Sequence, residues 1–456
     1  MDYNLRDLEK WNEIIEKKAS ELGLDYYPQE FDVIGHNDMI GYEAYVGMPS
    51  RYPHWSFGKS YEKTKTLYSL NLTGLAYEMV INSNPCLGYL MRENTLLLQI
   101  LTMAHVYGHN DFFKNNRLFK EGTKANYTIE MFKIDAETIR GFISHPSIGY
   151  EKVERIIDAA HAIRFQISRV IGEKTVSRQD AQKALIDDYN KKVENKGILD
   201  LDVKIDIPNI SKIPLEPEDD LMGFLIQYGD LQEWERTILK IVKRETEYFM
   251  PQIETKTMNE GWASFWHYNI LKELDLPQGL HLEFLKRHND VVAPMVGGLN
   301  PYYVGFKMFQ AIDETYGRDK IFEVRALERD ASFIRRYLTE DLCRELNLFE
   351  YGKKGFDYVI ENVPDEIGWK SIRDLLAHHT GVGSIPYIRV LDYNTKDGTL
   401  TIEHVFDGRE LEISYAKETL KYIQELWGRK VILNTKTKDD NTIVITCDED
   451  KKISIR

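Results

Sequence analysis

This chain of 456 residues has few cysteines and fewer basic than acidic residues, and both features exclude certain classes of protein. Its three cysteines, Cys86, Cys343 and Cys447, are widely separated and fit neither a disulfide framework nor a thiolate metal cluster. The 59 lysines and arginines are outnumbered by 73 aspartates and glutamates, which gives a formal net charge of −14. Because a nucleic-acid-binding protein normally carries a basic face, this composition argues against a nucleic-acid partner.

Long apolar runs are missing as well. The first ten residues are charged and lack the apolar segment of a signal peptide. No later window reaches the roughly 18 uninterrupted apolar residues that mark a membrane span. We therefore expect a cytoplasmic protein, and hydrophobic and charged fractions of 43% and 29% are those of an ordinary globular chain.

Helical periodicity dominates the chain up to about residue 380, beginning with residues 5–22. One strand is predicted within this part, over residues 74–82, because glycine and a turn-forming Asn-Ser-Asn-Pro run bound it. From Ser384 onward, the order strand, strand, helix, strand, strand is typical of a small α/β domain. The sequence thus predicts a mainly α domain with a small edge sheet over residues 1–380 and a small α/β domain over residues 381–456.

A pair of histidines carries the strongest chemical signal. His105 and His109 follow an apolar run, so we predict that they lie in the second half of a buried helix. Four residues apart, they project from one face and can share a metal ion. Helical zinc sites usually carry the motif H-E-x-x-H, in which the Glu is the general base. Here Val106 holds that position, so a different base would be required.

A second stretch supplies a carboxylate. If it is helical, Glu260, Ser264 and His267 lie on one stripe. Two histidines and one glutamate are a standard set of three protein ligands for catalytic zinc. We therefore predict that His105, His109 and Glu260 bind one divalent metal ion, with zinc favoured by the nitrogen and oxygen ligands. The alternative is a chance spacing, since a buried histidine usually only hydrogen-bonds a neighbour.

Two further histidines are predicted to act in catalysis. His267 can be a partner behind a ligand, a fourth ligand or the missing acid/base, and we predict the last role because Val106 cannot accept a proton. His54 is the second candidate, since its irregular loop, which also holds Trp55, could fold over the site. An ordinary surface loop with one packed tryptophan is the alternative.

Several stretches together resemble the stage V sporulation protein R family, SpoVR. They comprise residues 47–59, 104–116, 258–267, 299–306 and 384–393. The resemblance implies a role in forming the spore cortex.

A second, weaker resemblance is to zinc metallopeptidases that pair H-E-x-x-H with a downstream N-E-G-[FW]-A helix, and residues 259–263 carry it. It implies a zincin-like metal-helix core and hydrolysis of an amide bond. Together, the two resemblances suggest peptidoglycan-related material or a cortex-assembly protein as the substrate. The alternative is a non-catalytic metal-binding or regulatory module that uses the C-terminal domain as a docking surface.

Overall fold

The computed structural model describes residues 3–70, 78–172, 178–194, 207, 209–295, 298–354 and 357–456. In chain order, the α-helices are α1 (Leu5–Glu21), α2 (His36–Ala44), α3 (Trp55–Ser69), α4 (Leu96–Asn115), α5 (Arg117–Gly122), α6 (Thr128–Ser144), α7 (Tyr150–Ala162), α8 (Arg178–Glu194), α9 (Leu221–Tyr228), α10 (Glu233–Glu254), α11 (Lys256–Glu273), α12 (Gln278–Val291), α13 (Pro301–Tyr316), α14 (Arg318–Leu327), α15 (Asp330–Tyr337), α16 (Glu340–Glu345), α17 (Gly368–His379) and α18 (Ile413–Trp427). The β-strands are β1 (Gln29–Ile34), β2 (Glu78–Ile81), β3 (Cys86–Met91), β4 (Glu350–Lys354), β5 (Asp357–Asn362), β6 (Ile388–Tyr393), β7 (Leu400–His404), β8 (Val431–Lys436), β9 (Thr442–Cys447) and β10 (Ile453–Ile455).

This architecture is mainly helical, with small sheets and a C-terminal α/β region, as the sequence predicts in coarse form. Of the strand expected over residues 74–82, β2 is observed, and residues 74–77 lie outside the described residues. Among the helices in the described ranges, none combines the length and the apolar character needed to cross a membrane.

The chain forms two compact units. Unit 1 comprises Met1–Gly141 and Glu247–Ser384, and unit 2 comprises Phe142–Thr246 and Ile385–Arg456. The C-terminal strands therefore share a unit with a segment from the middle of the chain. The independent domain expected over residues 381–456 stays a prediction.

Helix α4 lies at the centre of unit 1 and is buried along almost its whole length. It packs against α1, α11, α12 and α14. Its Gly108 meets α11 so closely that an added Cβ would lie 2.7 Å from the Cα of Ala263. An added Cβ on Gly261 would lie 2.3 Å from the Cα of Gly305 on α13. Small residues therefore let the backbones of α4, α11 and α13 approach one another.

The start of α11 is held by a residue from a distant part of the sequence. Its first residues follow Thr255, whose side chain makes no capping hydrogen bond. Instead, the backbone N–H groups of Thr257 and Met258 donate to the carboxylate of Asp330, at 2.8 and 2.9 Å. These contacts satisfy amides that a helix leaves free at its first turn.

The small sheet of unit 1 brings a strand beside α4. Its order is β1-β3-β2, with β1 parallel and β2 antiparallel to β3. Strands β2 and β3 both contact α4. Side chains at the start of β2 can therefore reach the helix that carries the paired histidines.

Unit 2 contains a five-stranded sheet in the order β10-β9-β8-β7-β6, in which β7 and β8 are parallel and the other pairs are antiparallel. Strand β7 alternates buried and half-buried residues, and α18 packs against β8 and β9. The middle segment completes the unit, because α7 packs against α18 and α9 against β6. The backbone of Glu218 also exchanges two hydrogen bonds with Val390 of β6, at 2.9 and 2.8 Å.

Candidate metal centre

The two predicted ligand histidines lie one turn apart on α4, and both side chains are buried. Their ring centroids are 4.6 Å apart. Because α4 is inside the core, both imidazoles face other protein groups and not bulk water. Val106, which stands where the peptidase motif has its Glu, is fully buried.

Glu260 of α11 reaches the same point. Its Oε2 lies 3.5 Å from His109 Nε2 and 3.8 Å from His105 Nε2. Among the described residues, neither this oxygen nor His105 Nε2 has a hydrogen-bond partner, although both are buried. The structure thus brings together the three side chains that the sequence analysis proposed as ligands.

Glu78 is a fourth member of the cluster, and the sequence analysis missed it. Its Oε1 lies 3.2 Å from His105 Nε2, and ligand atoms of Glu78, His105 and His109 all lie within 4.8 Å of one another. Its second oxygen, Oε2, is buried without a hydrogen-bond partner in the part of the chain that the structure describes. The sequence offered one signal for Glu78: it is a carboxylate inside the strand predicted just before the helix that carries the paired histidines.

Asn259 fixes the ring of His109. Its Oδ1 lies 2.8 Å from His109 Nδ1. Because a carboxamide oxygen only accepts, Nδ1 carries a proton, and in the neutral ring Nε2 has its lone pair facing Glu260. The ring also stacks on Phe113, with centroids 5.9 Å apart.

The two predicted catalytic histidines occupy different surroundings. His267 is fully buried behind His105, with its Nδ1 2.8 Å from His105 Nδ1 and its Nε2 2.8 Å from His288 Nδ1. His54 caps the start of α3: its Nδ1 lies 2.7 Å from Ser56 Oγ and accepts from the backbone N–H of Ser56 at 3.3 Å. Neither arrangement tests catalysis, so both roles stay predictions.

Burial and mutual charge shift the pKa values of the cluster in opposite directions. Burial raises the pKa of Glu78 to about 8 and lowers that of His105 to about 4. For Glu260, burial favours the neutral acid, but the neighbouring imidazoles of His105 and His109 outweigh it and hold its pKa well below its usual range. Burial likewise acts to lower the pKa of His109, and the neighbouring Glu260 and Glu78 reverse this, so that it is raised.

These groups fit a divalent cation. A buried carboxylate is costly unless it is paired or coordinates a metal, and here two carboxylates converge on two imidazole Nε2 atoms. Nitrogen and oxygen donors of this kind suit zinc and neighbouring divalent metals. His105, His109, Glu260 and Glu78 are the residues that could hold the ion.

Fold and site together describe a mainly helical protein with a buried cluster of two histidines and two carboxylates. The chain belongs to the SpoVR family: residues 2–385 match the family described as SpoVR like protein, and residues 386–438 match the SpoVR-like C-terminal domain. This confirms the resemblance seen in the sequence.

One similar protein is "Uncharacterized protein YcgB" of Escherichia coli (strain K12). It is 34% identical over 466 residues, which cover 93% of this chain and 91% of that protein. No solved structure matches the chain.

Proposed function

We propose that the protein binds one divalent metal ion, with zinc favoured, through His105, His109 and Glu260, and uses it to hydrolyse an amide bond. One observation carries the proposal: His105 Nε2 and Glu260 Oε2 are buried, lie 3.8 Å apart and have no hydrogen-bond partner among the described residues. Buried polar atoms are nearly always satisfied. A cation between the two helices would be the partner of both atoms.

The residues around the site have separate tasks in this proposal. A divalent ion polarises an amide carbonyl and lowers the pKa of water. Glu78 is the group that would accept a proton: its Oε2 has no partner among the described residues, its carboxyl faces the imidazole edge of His105, and a cation beside it would favour the ionised form. Val106 cannot do this. His267 and His54 stay the alternatives predicted from sequence.

The family name supports a choice of substrate class. A role associated with spore cortex formation suggests peptidoglycan-related material or a cortex-assembly protein as the amide substrate. The second candidate function is a non-catalytic metal-binding or regulatory module, which Val106 favours because the usual general-base position is lost.

Metal analysis of the purified protein tests the proposal. After incubation with zinc and removal of free ion, we expect a single ion per chain in the wild type and little in His105→Ala or His109→Ala, since each change removes a ligand. His281→Ala is the matched control, because His281 is an exposed histidine of the same unit. A wild-type chain that takes up no zinc, or a His105→Ala variant loaded like the wild type, would overturn the proposal.

A further inference from the structure

Three buried histidines from three helices form one hydrogen-bonded chain. His105 Nδ1 lies 2.8 Å from His267 Nδ1, and His267 Nε2 lies 2.8 Å from His288 Nδ1. His105 and His267 are fully buried, and His288 is 5% exposed. Each helix, α4, α11 and α12, supplies one ring, so the three rings connect the metal cluster to α12 through the core.

A chain of neutral imidazoles has only two possible directions. Each ring carries a single proton, and each bond between two ring nitrogens needs one donor and one acceptor. In the forward direction, His105 Nδ1 donates to His267 Nδ1, and His267 Nε2 donates to His288 Nδ1. This leaves His105 Nε2 without a proton.

In the reverse direction, every donor becomes an acceptor. His288 Nδ1 donates to His267 Nε2, and His267 Nδ1 donates to His105 Nδ1. The proton of His105 then sits on Nε2, which is within reach of Glu78 Oε1 at 3.2 Å. A metal ligand must present a lone pair at this atom, so the reverse direction blocks the site.

We infer that metal binding sets the direction of this chain, and that His288 is thereby a positioning residue for a metal ion that it does not touch. The inference rests on the proposed metal site. When the chain turns from reverse to forward, the proton of His105 Nε2 is released to solvent, as metal binding at that atom requires, and the proton of His267 Nδ1 passes to His105 Nδ1. The proton of His288 Nδ1 passes to His267 Nε2, and His288 Nε2 takes up one proton from solvent. The net charge of the three rings is unchanged.

The second ligand histidine, His109, differs from His105 in the tautomers open to it. His109 Nδ1 faces the acceptor Asn259 Oδ1, so the neutral ring of His109 carries its proton on Nδ1 and presents the lone pair of Nε2 to a metal ion. Of the two ligand histidines, only His105 can adopt either tautomer. The rings of Tyr268 and Phe306 pack on His288, with centroids 4.7 and 5.0 Å away, and hold it in place for the bond to His267.

Zinc affinity, measured by competition with a chelating dye, tests the role of His288. His288→Leu removes the acceptor for His267 Nε2–H, and we expect it to weaken zinc binding by about 10- to 100-fold, as for other groups that orient a ligand histidine. His288→Asn, whose carboxamide oxygen can accept the same hydrogen, should restore affinity to within a few-fold of wild type. His281→Leu on the same helix is exposed and serves as the control.

The tautomer of His105 can be measured directly, and a purely structural role of the histidine chain would not make it depend on zinc. In protein labelled with ring-15N histidine, the proton of His105 should sit on Nδ1 with zinc bound and on Nε2 without it. A wild-type chain that fails to bind zinc would defeat the metal site itself. If the wild type binds zinc, identical His105 tautomers in both states, or equal affinities of His288→Leu and His281→Leu, would overturn the inference. The tautomer measurement decides the matter even if His288→Leu does not fold.

Discussion

At the scale of single residues, the candidate metal centre differs from the H-E-x-x-H motif in the element that carries a carboxylate. The peptidase motif places its general base on the metal helix, directly after the first histidine. Here that position is Val106, packed in the core, while the carboxylate of Glu78 arrives from β2. The chemistry of a buried metal site depends on where a carboxylate ends up in space, and a neighbouring strand can supply it.

The variant Glu78→Gln tests whether Glu78 acts as a proton acceptor or as a metal ligand. The amide has the same size but cannot take up a proton, so we expect zinc binding within a few-fold of wild type and amide hydrolysis lowered by about 10²- to 10⁴-fold. The assay uses zinc-loaded protein with peptides and peptidoglycan precursors. Zinc loss equal to that of His105→Ala would make Glu78 a ligand. Full turnover would exclude Glu78 as the base, and His267→Ala and His54→Ala in the same assay would then decide between those residues.

At the scale of elements, the stretch Asn-Glu-Gly-Trp-Ala is best explained by helix contacts. Gly261 is pressed against α13 and Ala263 against Gly108 of α4. Trp262 fills the core, and its Nε1–H donates to the buried carboxylate of Asp111 at 2.9 Å. Close approach of α4 and α11 is what brings Glu260 to His109.

Gly261→Ala tests whether this close approach maintains the site. The new methyl group has no room, so we expect a loss of about 1 to 3 kcal/mol in unfolding free energy and weaker zinc binding, because α11 must shift. Gly141→Ala is the matched control: a Cβ there meets nothing within 4 Å, and alanine should stabilise α6 by about 1 kcal/mol. Thermal melts and zinc titrations measure both effects. Unchanged stability of Gly261→Ala would contradict the packing.

Asp330, which accepts hydrogen bonds from the start of α11, should make the stability of the fold depend on pH. Burial raises the pKa of Asp330 from 3.8 to about 7, although the amides of Thr257 and Met258 oppose the rise. A raised pKa means that the folded state holds a proton that the unfolded state releases. This stabilisation is complete below the unfolded pKa and is lost as pH rises through the folded value.

Asp330→Asn removes this titration. We expect the stability advantage of wild type over Asp330→Asn, from urea unfolding, to fall between about pH 4 and about pH 7 and to level off above that range. The asparagine also loses one amide partner, but that loss is independent of pH. Subtracting the variant cancels other titrating groups of the chain. An advantage that stays constant or grows with pH would show that the two amides, and not burial, control Asp330.

Local spacing predicted which side chains share a helix face and little of what joins distant segments. His105, His109 and Glu260 follow from helical period, since each pair or stripe lies within one helix. Glu78 and His288 come from other elements, and a contact between elements leaves no periodic trace in the sequence. The sequence of α4 did not show which side of the helix meets β2 either, because the helix is buried on every side.

At the scale of the whole molecule, the sequence likewise does not show which distant segments form one compact unit. The change of composition near residue 384 marks where strands begin, and the family matches also meet at residues 385 and 386. Composition does not show that residues 142–246 share a compact unit with these strands. A single relative covers 93% of the chain, so both units occur together in another protein of the family.

Cleavage at the junction distinguishes an independent C-terminal domain from a unit built of two segments. Ser384 is exposed, so a protease recognition sequence inserted after it should be tolerated. We expect the cleaved C-terminal fragment to coelute with the rest of the chain in gel filtration and to separate only in urea. The reason lies inside unit 2: Trp427 of α18 stacks on Phe224 of α9 with ring centroids 6.0 Å apart, and β6 pairs with the backbone of Glu218. Separation would expose these apolar surfaces to water, at a cost of about 25 cal/mol for each Å². A C-terminal fragment that elutes alone with a cooperative thermal transition would instead establish the independent small α/β domain that the sequence predicts.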